Sequence, residues 1–96
     1  MSDKPYAIGS THCPGLSKLV EEAGEVQQVV GKIVGFGGFG RHWDGSDLRE
    51  RLVEEIGDVM AACVFVTEAN GLDISAIQKR VEEKLNTFRR WHGGEP

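Results

Sequence analysis

The chain has 96 residues, 40 % of them hydrophobic and 27 % charged, and a formal net charge of −4. That is material for a single domain over residues 1–96 with a modest core. No apolar run reaches the ~18 residues of a membrane span, and the polar start Met1-Ser2-Asp3-Lys4-Pro5 lacks a signal-peptide core. The acidic balance speaks against a nucleic-acid polymer as partner. Cys13 and Cys63 form no CxxC motif. They fit a reduced, cytoplasmic setting, with Cys63 expected as a small buried hydrophobe.

Residues 1–13 read as irregular, and Pro14 suits a first helical turn. From about Leu16 to Val34 apolar residues recur at steps of three and four: Leu16, Leu19, Val20, Ala23, Val26, Val30, Ile33 and Val34. This predicts an amphipathic helix. The run Gly35-Phe36-Gly37-Gly38-Phe39-Gly40 is expected to end it. After the loop, Ser46 or Asp47 can cap a second helix, with Glu50 completing a capping-box-like start. That helix should run to about Asn70, stopped by Gly71. Its octet Val59–Val66 is apolar nearly all round and so is expected to be buried on most sides. Asp73 or Ser75 caps a third helix carrying Ile74, Ile77, Val81, Leu85, Phe88 and Trp91 on one stripe. The predicted fold is all-α: two long helices and a further long helix in a bundle completed by oligomerisation.

Two acidic clusters interrupt these apolar runs: Glu21-Glu22-Ala23-Gly24-Glu25 and Glu54-Glu55-Ile56-Gly57-Asp58. Each holds a pair three residues apart, Glu22 with Glu25 and Glu55 with Asp58, and such pairs share a helix face. On the helical wheel Glu55 falls near the centre of its apolar stripe, Asp58 lies at the edge, and Glu22 borders the stripe beside Val26 and Ile33. Glu21 points away, as a solvated acid. Carboxylates among core residues are costly unless paired or metal-bound. Ordinary surface acids are the bland alternative for either cluster alone; two matching clusters favour a shared cation pocket. Gly24 and Gly57 each cost about 1 kcal/mol within a helix, and close approach of another helix would explain them.

Oxygen-only ligands point to Mg²⁺, with Mn²⁺ able to substitute. No Glu-x-x-His pattern supports a di-iron site. Mg²⁺ usually accompanies a phosphate-bearing substrate, which gives the basic residues of the third helix a reading beyond a solvated face. Lys84 with Arg80, Asn86 or Arg89 would grip phosphates. The Gly-rich loop lacks the GK[ST] ending of a P-loop. It is either a plain connection or a lid in which Phe39, His42 or, best of all, Trp43 stacks on a nucleobase.

The two clusters form an EExxE…ExxD signature, and with the segment Glu82–Trp91 the chain from about residue 16 to 91 resembles the MazG-like nucleotide pyrophosphohydrolases, of the all-α NTP pyrophosphatase superfamily. The resemblance implies Mg²⁺ held by Glu22, Glu25, Glu55 and Asp58. It implies hydrolysis of a nucleoside triphosphate to monophosphate and pyrophosphate, with Glu25 or Glu21 acting on the attacking water and Lys84 on the leaving group. It also implies a homodimer or homotetramer. The long segment between the motifs, enlarged by the Gly/Phe loop, departs from the family pattern. Analogy with small relatives and the aromatic loop suggest dGTP or GTP among dNTP and NTP substrates. Two other functions stay open: a phosphoribosyl-ATP pyrophosphohydrolase, or a non-enzymatic helical oligomerisation module.

Overall fold

The computed structural model describes residues 4–41 and 43–96, among which there are three helices and no strand: α1 Leu16–Phe36, α2 Leu48–Ala69 and α3 Ile74–His92. Among the described residues no helix is long and apolar enough to cross a membrane. The all-α class and the order of elements follow the sequence periodicity.

The helix ends show the local chemistry at work. Asp47 caps α2, its carboxylate accepting from the amides of Arg49 at 2.9 Å and Glu50 at 3.2 Å. Asp73 caps α3 by accepting from the amide of Ala76 at 3.1 Å. At the start of α1 the expectation fails. Pro14 lies outside the helix, and the N-cap is Gly15 in a left-handed conformation, φ 88°, with no side-chain cap. The chain needs that conformation to turn back over itself: the Gly15 amide donates to Ala7 O at 3.1 Å and the Ser17 amide to Tyr6 O at 3.0 Å. At the other end α1 runs two residues past Val34, through Gly35 and Phe36. Gly37 stops it, at φ 93°, and the amides of Gly37 and Gly38 donate to Val34 O and Ile33 O respectively. This is a Schellman motif, and it needs glycine only at the position that turns left-handed.

α1 and α2 pack along each other in antiparallel fashion. The C-terminal end of α2 meets the N-terminal end of α1, where Asn70 Nδ2 donates to Pro14 O at 2.9 Å. Val29 and Leu48 are fully buried in this seam, joined by Ala62 and Val66. Val29 is a finding the three-and-four periodicity did not single out. It lies seven residues from Glu22 and so on the same face, whereas Val20 and Val34 point outward and are exposed.

α3 makes no comparable contact with either helix, and none of its residues is buried. Its stripe of Ile77, Val81, Leu85, Phe88 and Trp91 is open. So is the far face of α2, with Val53, Met60 and Val64. The expectation that the apolar octet is buried on most sides is therefore corrected: α2 has one neighbouring helix, which covers one face. Cys63 lies on the uncovered side and is exposed, not buried. The accessible surface is 7259 Å² for a mass of 10.5 kDa. A compact monomer of that mass would expose about 5,400 Å². The radius of gyration, 16.6 Å, also exceeds the ~12–13 Å of a compact chain this long.

Candidate active site

Because α1 and α2 run antiparallel, the first half of α1 faces the middle of α2, and the two acidic pairs meet. Glu22, Glu25, Glu55 and Asp58 each offer one carboxylate oxygen, and the four oxygens all lie within 4.8 Å of one another. Among the described residues this is the one group of acids, histidines or cysteines so gathered. Glu22 is buried, at 8 % exposure; Glu25 and Glu55 are half-buried, and Asp58 is exposed. The wheel placed Glu55 deepest, but the tertiary seam buries Glu22 more, since Glu22 shares the inner face with Val29.

The electrostatics are those of an acid cluster short of positive charge. Burial, followed by the Glu25 carboxylate, raises the Glu22 carboxyl above its ordinary range, with only Lys18 opposing. A hydrogen bond shared with Glu55, followed by burial, raises the Glu25 carboxyl. Glu22 Oε2 and Glu55 Oε2 are buried without a hydrogen-bond partner. Buried carboxylate oxygens are normally satisfied, and two orphans in one cluster of oxygen donors fit a hard divalent cation. The donor set contains no sulfur or imidazole, so it suits Mg²⁺ or Mn²⁺ better than zinc.

Beside the acids lies a cavity of about 460 Å³. Its apolar wall is Ile8 and Gly15 from the N-terminal segment with Ala61, Ala62 and Phe65 from α2; its polar side is Lys18, Glu22 and Asp58. Gly15 is tightly fitted here, since a Cβ would stand 2.7 Å from Phe65 Cδ1. Sequence reading missed this cavity. Its walls come from an irregular segment and from small residues that carry no motif, and only the fold of residues 6–17 over α1 brings them together.

The other predicted residues lie elsewhere. Glu21 is exposed and pairs with Lys18 at 3.4 Å, as expected of a solvated acid. Phe39 and Trp43 belong to the loop at the far end of the α1–α2 pair, with Arg49 stacked 4.2 Å from the Phe39 ring. Phe36 lies eleven positions after Glu25 along α1, about 16 Å along the axis. His42 lies outside the described residues. Lys84 and Arg80 flank the apolar groove of α3, while Asn86 and Arg89 line a polar hollow near its end. The single chain does not bring α3 onto the acids. Gly24 and Gly57 have nothing within 4 Å of an added Cβ, so close approach of α1 and α2 is not what selects them.

A family model of the MazG nucleotide pyrophosphohydrolase domain matches residues 11–92. Neither the curated proteins nor the solved structures yielded a match. The matched span covers all three helices and both acidic clusters. The chain belongs to the MazG nucleotide pyrophosphohydrolase family.

Proposed function

We propose that this MazG family member hydrolyses a nucleoside triphosphate to the monophosphate and pyrophosphate, with Mg²⁺ as the cofactor and Mn²⁺ as a substitute. The observation behind this reading is the convergence of four carboxylates within 4.8 Å, two of them with buried, unpartnered oxygens, on the edge of a cavity of about 460 Å³. Glu22 and Glu25 from α1 and Glu55 and Asp58 from α2 would hold the cation. Once bound, it supplies Lewis-acid polarisation of phosphoryl oxygens and a water of lowered pKa.

The chain's own groups supply the rest. The cavity volume is in the usual range for small-molecule sites, and its apolar wall of Ile8, Ala61, Ala62 and Phe65 receives the nucleoside. The α-phosphate then sits at the acidic edge. Water attacks the α-phosphorus and the α–β anhydride bond breaks, releasing pyrophosphate. A carboxylate not fully used in holding the cation, Glu25 or Glu21, accepts the proton of that water.

The open stripe of α3 and the excess accessible surface support burial against further copies of the chain, as a homodimer or homotetramer. In that assembly Lys84, Arg80, Asn86 and Arg89 would reach the phosphates, and Phe39, His42 or Trp43 the base, from a neighbouring copy. A purine such as dGTP or GTP is the preferred substrate in this reading, and the setting is cytoplasmic nucleotide metabolism.

The test is a panel of the ribo- and deoxynucleoside triphosphates plus phosphoribosyl-ATP, with Mg²⁺, in which monophosphate and pyrophosphate are measured separately. Equimolar monophosphate and pyrophosphate from one or a few triphosphates is the expected result. Preferential turnover of phosphoribosyl-ATP would move the substrate, and release of inorganic phosphate instead of pyrophosphate would overturn the reaction.

A further inference from the structure

Lys18 stands in a position that the family reading leaves without a role. Its ammonium lies 3.4 Å from Glu21 Oε2 and 3.6 Å from Glu22 Oε1. Of the residues lining the cavity, it is the only cation, and its ion pairs place it beside the acids. It comes one helical turn before Glu22, so its ammonium and that carboxylate share a face of α1. Its side chain keeps 43 % of its exposure, enough to move between partners.

These contacts give Lys18 two states. In the chain without ligand it is the one cation offsetting the buried Glu22, and both residues line the cavity. Ligation by a divalent cation would take over that neutralisation and release the ammonium toward the cavity mouth, where the phosphates of a nucleotide seated against Phe65 and Ala62 would lie. The basic residues first assigned to phosphates sit on α3, which the chain does not fold onto the acids.

We propose that Lys18 is a substrate-binding residue: it exchanges its ion pair with Glu22 for the phosphates of the bound nucleotide, so each chain supplies its own phosphate-contacting cation beside the metal ligands. The proposal rests on reading this site as a metal-dependent nucleotide site, and it goes beyond that reading in naming the residue and the exchange. An ammonium–phosphate contact is charge-assisted, and losing one at a part-exposed site weakens binding by about tenfold.

The test uses the full-length protein and its Lys18→Met and Lys18→Arg variants. Two binding measurements are made by calorimetry: Mn²⁺ alone, and a non-hydrolysable α,β-imido triphosphate in the presence of Mn²⁺. Steady-state kinetics follow with the triphosphate the wild type turns over best. In Lys18→Met the analogue should bind about tenfold more weakly and KM should rise to match, while Mn²⁺ alone binds as well as in wild type or more tightly, because a competing cation is gone. Lys18→Arg should recover most of the analogue affinity.

Unchanged analogue affinity in Lys18→Met, with the wild type active, would overturn the role of Lys18 and leave the site reading intact. A parallel loss of Mn²⁺ affinity would also overturn it, making Lys18 a support for the folded cluster. If the wild type bound neither Mn²⁺ nor the analogue, the site reading itself would fail and this proposal with it.

Discussion

Replacing Glu55 by Gln is the most informative single change. The amide is nearly isosteric with the carboxylate, so α2 and its packing against α1 should persist. The change neutralises one of the four carboxylates gathered within 4.8 Å, and one whose Oε2 is buried without a partner. It also removes the group that, first among several causes, holds the Glu25 carboxyl above its ordinary range. Two opposite effects on stability follow.

In the metal-free wild type, Glu22 and Glu25 both have raised carboxyl pKa values. The folded chain therefore holds protons that the unfolded chain releases above about pH 4.5. The stability from these two groups is fully present below that value and is lost as pH rises through the raised values. Metal-free wild type should thus melt at a lower temperature at pH 8 than at pH 5, as far as these groups decide it. In Glu55→Gln that decline should be smaller.

Added Mg²⁺ acts in the other direction. At a concentration about ten times its dissociation constant, a ligand that binds only the folded state stabilises it by about 1.4 kcal/mol. For a domain of this size that raises Tm by roughly 6–11 °C. The wild type should show this shift at pH 8 and much less of it at pH 5, where protons compete for the same oxygens. Glu55→Gln should show little shift at either pH, and its turnover should fall by at least about a hundredfold. Differential scanning fluorimetry at two pH values, with and without Mg²⁺, reads the stability effects, and pyrophosphate release reads the turnover. A variant that kept the full Mg²⁺ shift and turned over within tenfold of wild type would refute the assignment of Glu55.

Other outcomes follow from the same structure. Gly15→Ala places a Cβ 2.7 Å from the Phe65 ring at a left-handed φ of 88°. The backbone strain and the overpacking together should cost about 2–4 kcal/mol, visible as a Tm drop of roughly 10 °C or more. Asp47→Ala removes the side chain that satisfies two amides at the start of α2 and should cost about 1 kcal/mol by chemical denaturation. Leu85→Glu combined with Phe88→Glu puts charge on the open stripe of α3 and should convert an oligomer to a 10.5 kDa monomer in light scattering. A wild type already monomeric at micromolar concentration would contradict the proposed assembly.

Much of this molecule was legible in the chain because its signals are local. Three- and four-residue periodicity, aspartates at 47 and 73 and glycines at 37 and 71 define helices without reference to neighbours. The acids were legible for the same reason: spacing of three on a helix is a geometric statement. What stayed hidden depends on which face meets which. The wheel could not choose between the two apolar sides of α1, and the choice buries Val29 and Glu22 while exposing Val20 and Val34. It could not tell that α2 has one covering helix, so Cys63 was placed inside when it is exposed. The cavity escaped notice because residues 6–17 have no period at all. Their fold-back is fixed by backbone hydrogen bonds between Tyr6 or Ala7 and residues near the start of α1.

The most direct measurement is the anomalous diffraction of crystals grown with Mn²⁺ and the α,β-imido triphosphate. Anomalous peaks between Glu22, Glu25, Glu55 and Asp58, with the phosphates reaching them and the base against Phe65, are the predicted result. Manganese and nucleotide bound away from these carboxylates, with the four side chains unligated, would contradict it.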